Sequence, residues 1–285
     1  MPSSPMSDIP IVPKGETIPR IIHQAFPTKN LPAPMRALID ELCANNPTWE
    51  HRLYDHDDIR EFIRREYGPK MLKAFLRIDE RYGAARIDFW RYLLIYKVGG
   101  VYIDIKSTFS KPLDEVLHTD DEYILSSWDQ SAGAEFSGYG IHPKLAHRET
   151  GEFQQWHVIA VKGHPFLRAV AERVLESIEH YNPWRDGAGK VAVLNVTGPV
   201  PYTLAIEPLL AHYPHRLVAD ETHLSLVYNA LGGVTYQQYL PPHYSLQKMP
   251  LIDQGPVGQA AYASYLMAKR GYLTVRDFGR RIIKR

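Results

Sequence analysis

Apolar residues recur along the first half of the chain with two alternating periods. In residues 18–26, IPRIIHQAF, a short apolar run follows Pro19 and closes on His23 and Gln24, which predicts a buried first strand. After Pro34 the segment MRALIDELCANN has helical spacing and stops before Pro47; WEHRLYD then alternates as a second strand, and HDDIREFIRREY returns to helical spacing. Strand, helix, strand, helix predicts α/β layering. Doubly wound sheets bind ligands beyond the carboxyl ends of their strands, so His23 and Gln24 fall where a nucleotide could lie. Polar residues that simply close a strand are the alternative.

The segment AARIDFWRYLLIYKVGG predicts a helix ended by its two glycines, because glycine takes the left-handed conformation that stops a helix. Over residues 87–98, nine of twelve positions are apolar or aromatic and only Asp88, Arg91 and Lys97 carry charge, so the helix is expected to be buried on most of its circumference. Asp88 and Arg91 stand at i and i+3 on one face. Buried ions are costly unless paired or bound, which leaves two readings, an internal salt bridge or a polar pair lining a ligand cavity. Next, VYIDIK alternates strictly: Val101, Ile103 and Ile105 face one way, and Tyr102, Asp104 and Lys106 the other. Strands are further expected at YILSSW and WHVIAV, helices in HPFLRAVAERVLESIEHY and TLAIEPLLAHY, and a turn at NVTGPVPY.

Composition narrows the classes of partner. The 285 residues include 33 basic and 32 acidic side chains, a balance that gives no footing for nucleic acid and favours a small-molecule partner. One cysteine, Cys43, excludes an intramolecular disulfide and a thiolate zinc cluster and suits a reducing compartment. The start, MPSSPMSDIPIVPKGETIP, lacks the basic-then-apolar order of a secretory signal, and no run reaches the ~18 apolar residues of a membrane span. A soluble cytoplasmic protein is expected. Thirteen histidines form no helical His-x3-His pair with a nearby acid, so His142, His147 and His157 read as scattered surface or core groups. Residues 269–285 carry seven basic residues and one acid, a local +6 that leaves −5 for the rest of a chain totalling +1. With Leu273, Val275, Phe278, Ile282 and Ile283 interleaved, this tail is expected to lie on an anionic membrane, peripherally at the inner face; a solvated terminus is the simpler alternative.

Read in order, these segments resemble glycosyltransferase family 32. IPRIIHQAF is similar to that family's opening strand, NNPTWEHRLYD to its second strand, ARIDFWRYLLIYKVGGVYIDIK to the block that carries its Asp-x-Asp motif, and VKGHPFL and TGP to later landmarks, so the likeness covers roughly residues 18–205. The resemblance, to bacterial capsular and polysaccharide members as well as yeast-type mannosyltransferases, implies a GT-A-type fold: an α/β, Rossmann-like nucleotide-binding sandwich with helical elaborations. It is placed at residues 18–268, between a flexible arm over 1–17 and the basic tail. It also implies retaining transfer of a hexosyl unit from a nucleoside diphosphate sugar to a hydroxyl of a glycan or lipid-linked acceptor. By position Asp88 and Arg91 match the family's acid and arginine that grip donor sugar hydroxyls, Tyr102 the residue that approaches the nucleotide, and Asp104 the first motif Asp. Gln154 and Gln155 fall where polar groups face acceptor or sugar, and His243 and Lys248 in a late loop where they could reach the diphosphate.

Lys106 departs from the motif. Its counterpart is usually a carboxylate that holds a divalent cation, Mn²⁺ or Mg²⁺, against the leaving diphosphate, and an ammonium cannot coordinate a cation. It can supply positive charge to the diphosphate directly. Reduced or absent metal dependence is therefore expected, with Asp104 the remaining candidate metal ligand. The alternative is a catalytically inactive sugar-nucleotide-binding module.

Overall fold

The short apolar run after Pro19 forms β1 (Ile21–Ala25), which lies between two parallel neighbours in a six-stranded sheet. In a computed structural model, residues 9–232, 238–239 and 243–268 are described. The chain proceeds through α1 (Ala33–Asn45), β2 (Glu50–Tyr54), α2 (His56–Leu76), α3 (Gly83–Val98), β3 (Gly100–Ile103), β4 (Thr108–Phe109), α4 (Leu113–Val116) and β5 (Tyr123–Leu125). It continues with β6 (His157–Ala160), α5 (Pro165–Glu179), α6 (Pro183–Asp186), α7 (Gly189–Val196), α8 (Pro199–Ile206), β7 (Arg216–Leu217) and β8 (Leu226–Val227). A 3-10 turn (Tyr244–Leu246) and a last helix, α9, over residues 255–268 follow.

The sheet order is β2-β1-β3-β6-β5-β7, with β2, β1 and β3 parallel, β6 antiparallel to both β3 and β5, and β7 parallel to β5. The α/β layering read from the sequence is the observed architecture. Alternation along β3 divides its side chains between two cores: Val101 and Ile103 join Ile22, Leu42 and Ile159 on one side, while Tyr102 joins the cluster built on α2, α3 and α5. The alternation expected across VYIDIK stops short of Lys106. The Asp104 N–H still donates to the Trp156 carbonyl at 3.0 Å, but Ser107 N–H then returns to the Asp104 carbonyl at 2.9 Å, turning the chain. Lys106 lies in that turn. Its carbonyl accepts from Ala230 N–H at 2.9 Å, and the Ser107 hydroxyl donates to the Tyr228 carbonyl at 2.6 Å, so the segment beyond β8 clamps the turn.

The junction from α3 to β3 depends on two glycines with left-handed φ, Gly99 at 76° and Gly100 at 106°. A Cβ on Gly100 would stand 2.7 Å from the Ile21 carbonyl oxygen. Gly100→Ala is therefore expected to cost about 1–3 kcal/mol from backbone strain alone. A thermal midpoint equal to that of the unsubstituted chain would contradict this.

Three expectations are revised. The arm placed at residues 1–17 is docked where it is described: Ile9 is buried, Val12 N–H donates to the Tyr96 hydroxyl at 3.1 Å, Gly15 N–H donates to the Lys162 carbonyl at 2.9 Å, and Lys14 pairs with Glu122 at 2.6 Å. The segment expected as a turn, NVTGPVPY, instead joins the end of α7 to α8, with a break at Thr197 and Gly198 where Pro199 opens the second helix. Helix α2 runs on past the expected end, through a kink at Gly68 (φ 83°) and Pro69. Residues 269–285 lie outside the described residues. No described helix is long and apolar enough to cross a membrane.

Candidate active site

Helix α3 is apolar almost all round because it is packed all round, and its two buried charges are turned toward the end of β3. The guanidinium of Arg91 places Nη2 3.0 Å from Asp88 Oδ1 and 3.4 Å from Asp104 Oδ1, and lies 4.6 Å from the Tyr102 ring centre. The Tyr102 hydroxyl donates to Asp104 Oδ1 at 3.1 Å. Arg91 Nη1 donates to the carbonyl and the side-chain Oε1 of Gln155 at 2.6 and 2.9 Å, and Gln155 Nε2 donates to Asp88 Oδ1 at 3.2 Å. The Thr197 hydroxyl donates to Asp88 Oδ2 at 3.2 Å. The Tyr92 hydroxyl lies 3.0 Å from Gln155 Oε1 and 3.1 Å from the Thr197 carbonyl, so it fixes whichever it donates to.

Of the two sequence readings of Asp88 and Arg91, the internal salt bridge is what the structure shows, and Arg91 also reaches Asp104 in the turn that ends β3. The cluster opens at one point. The Asp104 side chain is 23% exposed against 5% for Asp88, so an incoming ligand meets Asp104 first. Among the described residues, Arg91 Nε is buried without a hydrogen-bond partner, as is Trp156 Nε1. Burial pushes the Asp88 carboxyl up to about 6, with Arg91 pulling down and Asp104 pushing further up. Burial also works against the Arg91 charge, but Tyr102, Asp104 and Asp88 outweigh it and keep the guanidinium protonated. Lys106 Nζ stands 3.9 Å from the ring centre of Tyr228, and burial lowers its pKa while Asp104 opposes that shift.

Other residues singled out from sequence have different places. His23 is fully buried: Nε2 lies 3.1 Å from the Gly99 carbonyl and so carries the proton, while Nδ1 accepts from the Tyr54 hydroxyl at 3.0 Å. Burial lowers its pKa to about 3, so it is a neutral core group and not a ligand contact. Gln24, also fully buried, is a positioning residue: Nε2 donates to the Asp104 carbonyl at 3.3 Å, and Oε1 is 2.9 Å from His51 Nε2. Gln154 points away from Arg91 and donates to Glu221 at 2.7 Å; its neighbour Gln155 is the one in the cluster. His243 caps the 3-10 turn through Ser245, and its pKa is lowered by partial burial and by the charges of Lys106 and Lys190. Lys248 is exposed. His142 pairs with Glu152 and His147 with Glu207, whereas His157 is buried.

Sequence reasoning did not single out Tyr92, Tyr228 or Tyr244. The Tyr244 hydroxyl is pushed up by burial, with the charge of Asp88 acting in the same direction. The first could have been found from its position next to Arg91, but nothing in the loops around the other two signals a ligand site. Among the described residues no three His, Cys, Asp or Glu side chains gather as a metal site. With Arg91, Tyr102 and Lys106 around the Asp104 carboxylate, this donor set does not fit a resident divalent cation.

The chain is an α/β domain with an open mixed sheet, and its polar cluster lies past the carboxyl end of a central strand, the position at which open α/β sheets commonly bind ligands. Residues 32–123 match the family described as "Glycosyltransferase sugar-binding region containing DXD motif". The chain is similar to inositol phosphoceramide mannosyltransferase 3 of Schizosaccharomyces pombe, 33% identical over 105 residues, which are 37% of this chain and 29% of that protein. It is also similar to the initiation-specific alpha-1,6-mannosyltransferase of Candida albicans, 30% identical over 138 residues, 46% of this chain and 34% of that protein. The chain thus spans about a third of the length of these curated relatives, and both are fungal mannosyltransferases rather than capsule enzymes. Among solved structures, PaToxG glycosyltransferase aligns with TM-score 0.48 and 16% identity, covering 70% of this chain and 72% of that one.

Proposed function

We propose that the protein is a glycosyltransferase with a GT-A-type domain that moves a hexosyl unit from a nucleoside diphosphate sugar to an acceptor hydroxyl with retention of configuration. The observation that carries this reading is the junction of α3 and β3, where Arg91 bridges the carboxylates of Asp88 and Asp104 with Lys106 in the following turn. Carboxylates accept from sugar hydroxyls and the guanidinium offers a planar fork of donors, so this cluster suits a hexose. The relatives favour mannose as the sugar and a glycolipid or glycan as the acceptor, in place of the capsular role. A cytoplasmic site of action belongs to the same proposal.

A cleft of about 620 Å³ opens beyond β2, and His51, Arg52, Tyr54 and Asp58 are among its walls. His51 is linked through Gln24 to the carbonyl of Asp104, so the cleft and the cluster share a hydrogen-bonded floor. The cleft is the proposed seat of the nucleoside. Departure of the diphosphate then leaves negative charge next to Lys106, in a partly buried site where one cation counts for more than in water. No enzymic nucleophile is assigned, since same-face transfer lets the leaving phosphate accept the acceptor's proton.

The test is a panel of guanosine and uridine diphosphate sugars scored by thermal shift and by release of nucleoside diphosphate. Stabilisation and slow hydrolysis with a diphosphate mannose are expected. Binding with no turnover, with or without acceptor glycolipid, would indicate the inactive sugar-nucleotide-binding module, and no binding at all would refute the reading.

A further inference from the structure

We propose that the aromatic platform of Trp128, Phe136, Tyr139 and Tyr228 is the acceptor subsite, and that it takes the C–H face of a pyranose ring. The inference rests on the transfer reaction proposed above and names the acceptor group as a sugar ring. Trp128 is the hub: its ring centre lies 5.2 Å from Phe136, 5.6 Å from Tyr139 and 5.0 Å from Tyr228. Phe136 in turn lies 5.5 Å from both Tyr139 and Tyr228. Trp128 is buried, whereas Tyr139 is 53% exposed. Tyr139 is inclined at 67° to Trp128 and 57° to Phe136, so neither neighbour stacks on it and ring surface stays open to solvent.

The topology sets this platform and the proposed nucleoside cleft on opposite sides of the cluster. β2, β3 and β5 run in the same direction, so their carboxyl ends share one edge of the sheet. Asp104 follows β3 in the middle. The cleft borders β2, two strands to one side; Trp128 follows β5, two strands to the other, or about 10 Å at ordinary strand spacing. Tyr228 spans the interval on the platform side. Lys106 Nζ stands 3.9 Å from its ring centre, and its carbonyl accepts from the Ser107 hydroxyl at 2.6 Å. Its ring also lies 5.1 Å from that of Trp156, whose carbonyl accepts from the Asp104 N–H at 3.0 Å.

The platform is also held in place. Gln130 grips its own loop, with Nε2 donating to the Tyr139 carbonyl at 2.8 Å and Oε1 accepting from the Gly138 N–H at 3.0 Å. Trp128 Nε1 donates to Glu152 at 2.8 Å, and Gly140 (φ 73°) packs so closely that a Cβ would stand 2.6 Å from Trp128 Cδ1. A pyranose is apolar on its C–H face and polar around its rim. Its C–H groups carry the partial positive charge that suits the negative face of an aromatic ring. Aromatic surface that runs up to a carboxylate and an ammonium matches both parts of such a ring, with the rim hydroxyls directed at Asp104 and Lys106. A nucleobase also stacks on aromatic side chains, so the donor is the occupant to be distinguished.

The test is saturation-transfer NMR of the full chain with methyl α-D-mannopyranoside as the probe, irradiating aromatic protons. Transfer to the C–H protons of one ring face is expected, and little to mannitol, which has the hydroxyls without the ring. Tyr139→Ala should weaken pyranoside binding roughly five- to tenfold, while Tyr139→Phe, which keeps the ring, should bind like the parent. Thermal midpoints equal to the parent's would show that both variants are folded. The proposal is overturned by a parent that does not bind the pyranoside, by mannitol binding equally well, or by Tyr139→Ala binding like the parent. It is also overturned if Tyr139→Ala loses affinity for uridine or guanosine diphosphate to the same degree, which would give the platform to the donor. These readouts need no turnover. Donor hydrolysis without pyranoside binding would remove the platform and leave the transferase reading; Tyr139-dependent pyranoside binding in a chain that hydrolyses no donor would do the reverse.

Discussion

Replacing Arg91 by alanine is expected to destabilise the protein by about 3–5 kcal/mol and to lower donor turnover by at least about 10²-fold. The substitution deletes the cation shared by Asp88 and Asp104 and both donors that hold Gln155, in a site where Asp88 has 5% of its side chain exposed. The remaining carboxylate would be buried against Gln155 and Thr197 alone. Its proton affinity then rises, which gives the prediction a pH signature. In the intact chain the Asp88 carboxyl is already raised to about 6, above its unfolded value, so the stability it contributes is present in acid and is lost as pH rises through about 6. Without Arg91 that window moves upward. The urea midpoint of Arg91→Ala, relative to the parent, should therefore recover as pH is lowered from about 8 to about 6. Arg91→Lys keeps a charge but not the fork that meets Gln155 and two carboxylates at once, so it should regain part of the stability and little of the turnover. A midpoint and turnover equal to the parent's in Arg91→Ala would mean that the cluster supports neither the fold nor the ligand.

The parts of this site legible in sequence are those where periodicity and burial agree. Helix α3 is legible because it is apolar on most of its circumference, which leaves three charges over residues 87–98 to explain, and two of these are the centre of the cluster. β3 was readable as far as Asp104 because alternation assigns faces strictly, and Tyr102 and Asp104 do meet. Beyond that point the chain turns, and a period of two carries no information about a turn residue, so Lys106 is directed at Tyr228, a contact between residues 122 positions apart. His23 and Gln24 were placed correctly on β1, but strand position alone does not say which polar groups are spent on the backbone. Gly99 takes the proton of one and Asp104 the amide of the other. Gln154 and Gln155 differ by one residue and hence by one face, and only the register of the neighbouring strands chooses between them.

Lys106 decides whether the lost carboxylate has been replaced in function. Lys106→Ala is expected to reduce release of nucleoside diphosphate by about 10²–10³-fold while leaving donor-induced thermal stabilisation largely in place, because the charge is needed most when the diphosphate departs. The turn should survive the change, since it is pinned through backbone groups: the Lys106 carbonyl accepts from Ala230, and Ser107 bonds Tyr228. Burial lowers the lysine pKa and Asp104 opposes that shift, and an arriving diphosphate would favour the ammonium further. The parent should accordingly retain turnover after exhaustive chelation. Lys106→Asp recreates the acidic pair with Asp104, and in that variant turnover should be low with chelator and rise on adding Mn²⁺ or Mg²⁺. Loss of the parent's activity on chelation, with full recovery in Mn²⁺, would transfer the leaving-group role from this side chain to a cation held by Asp104 and the donor itself.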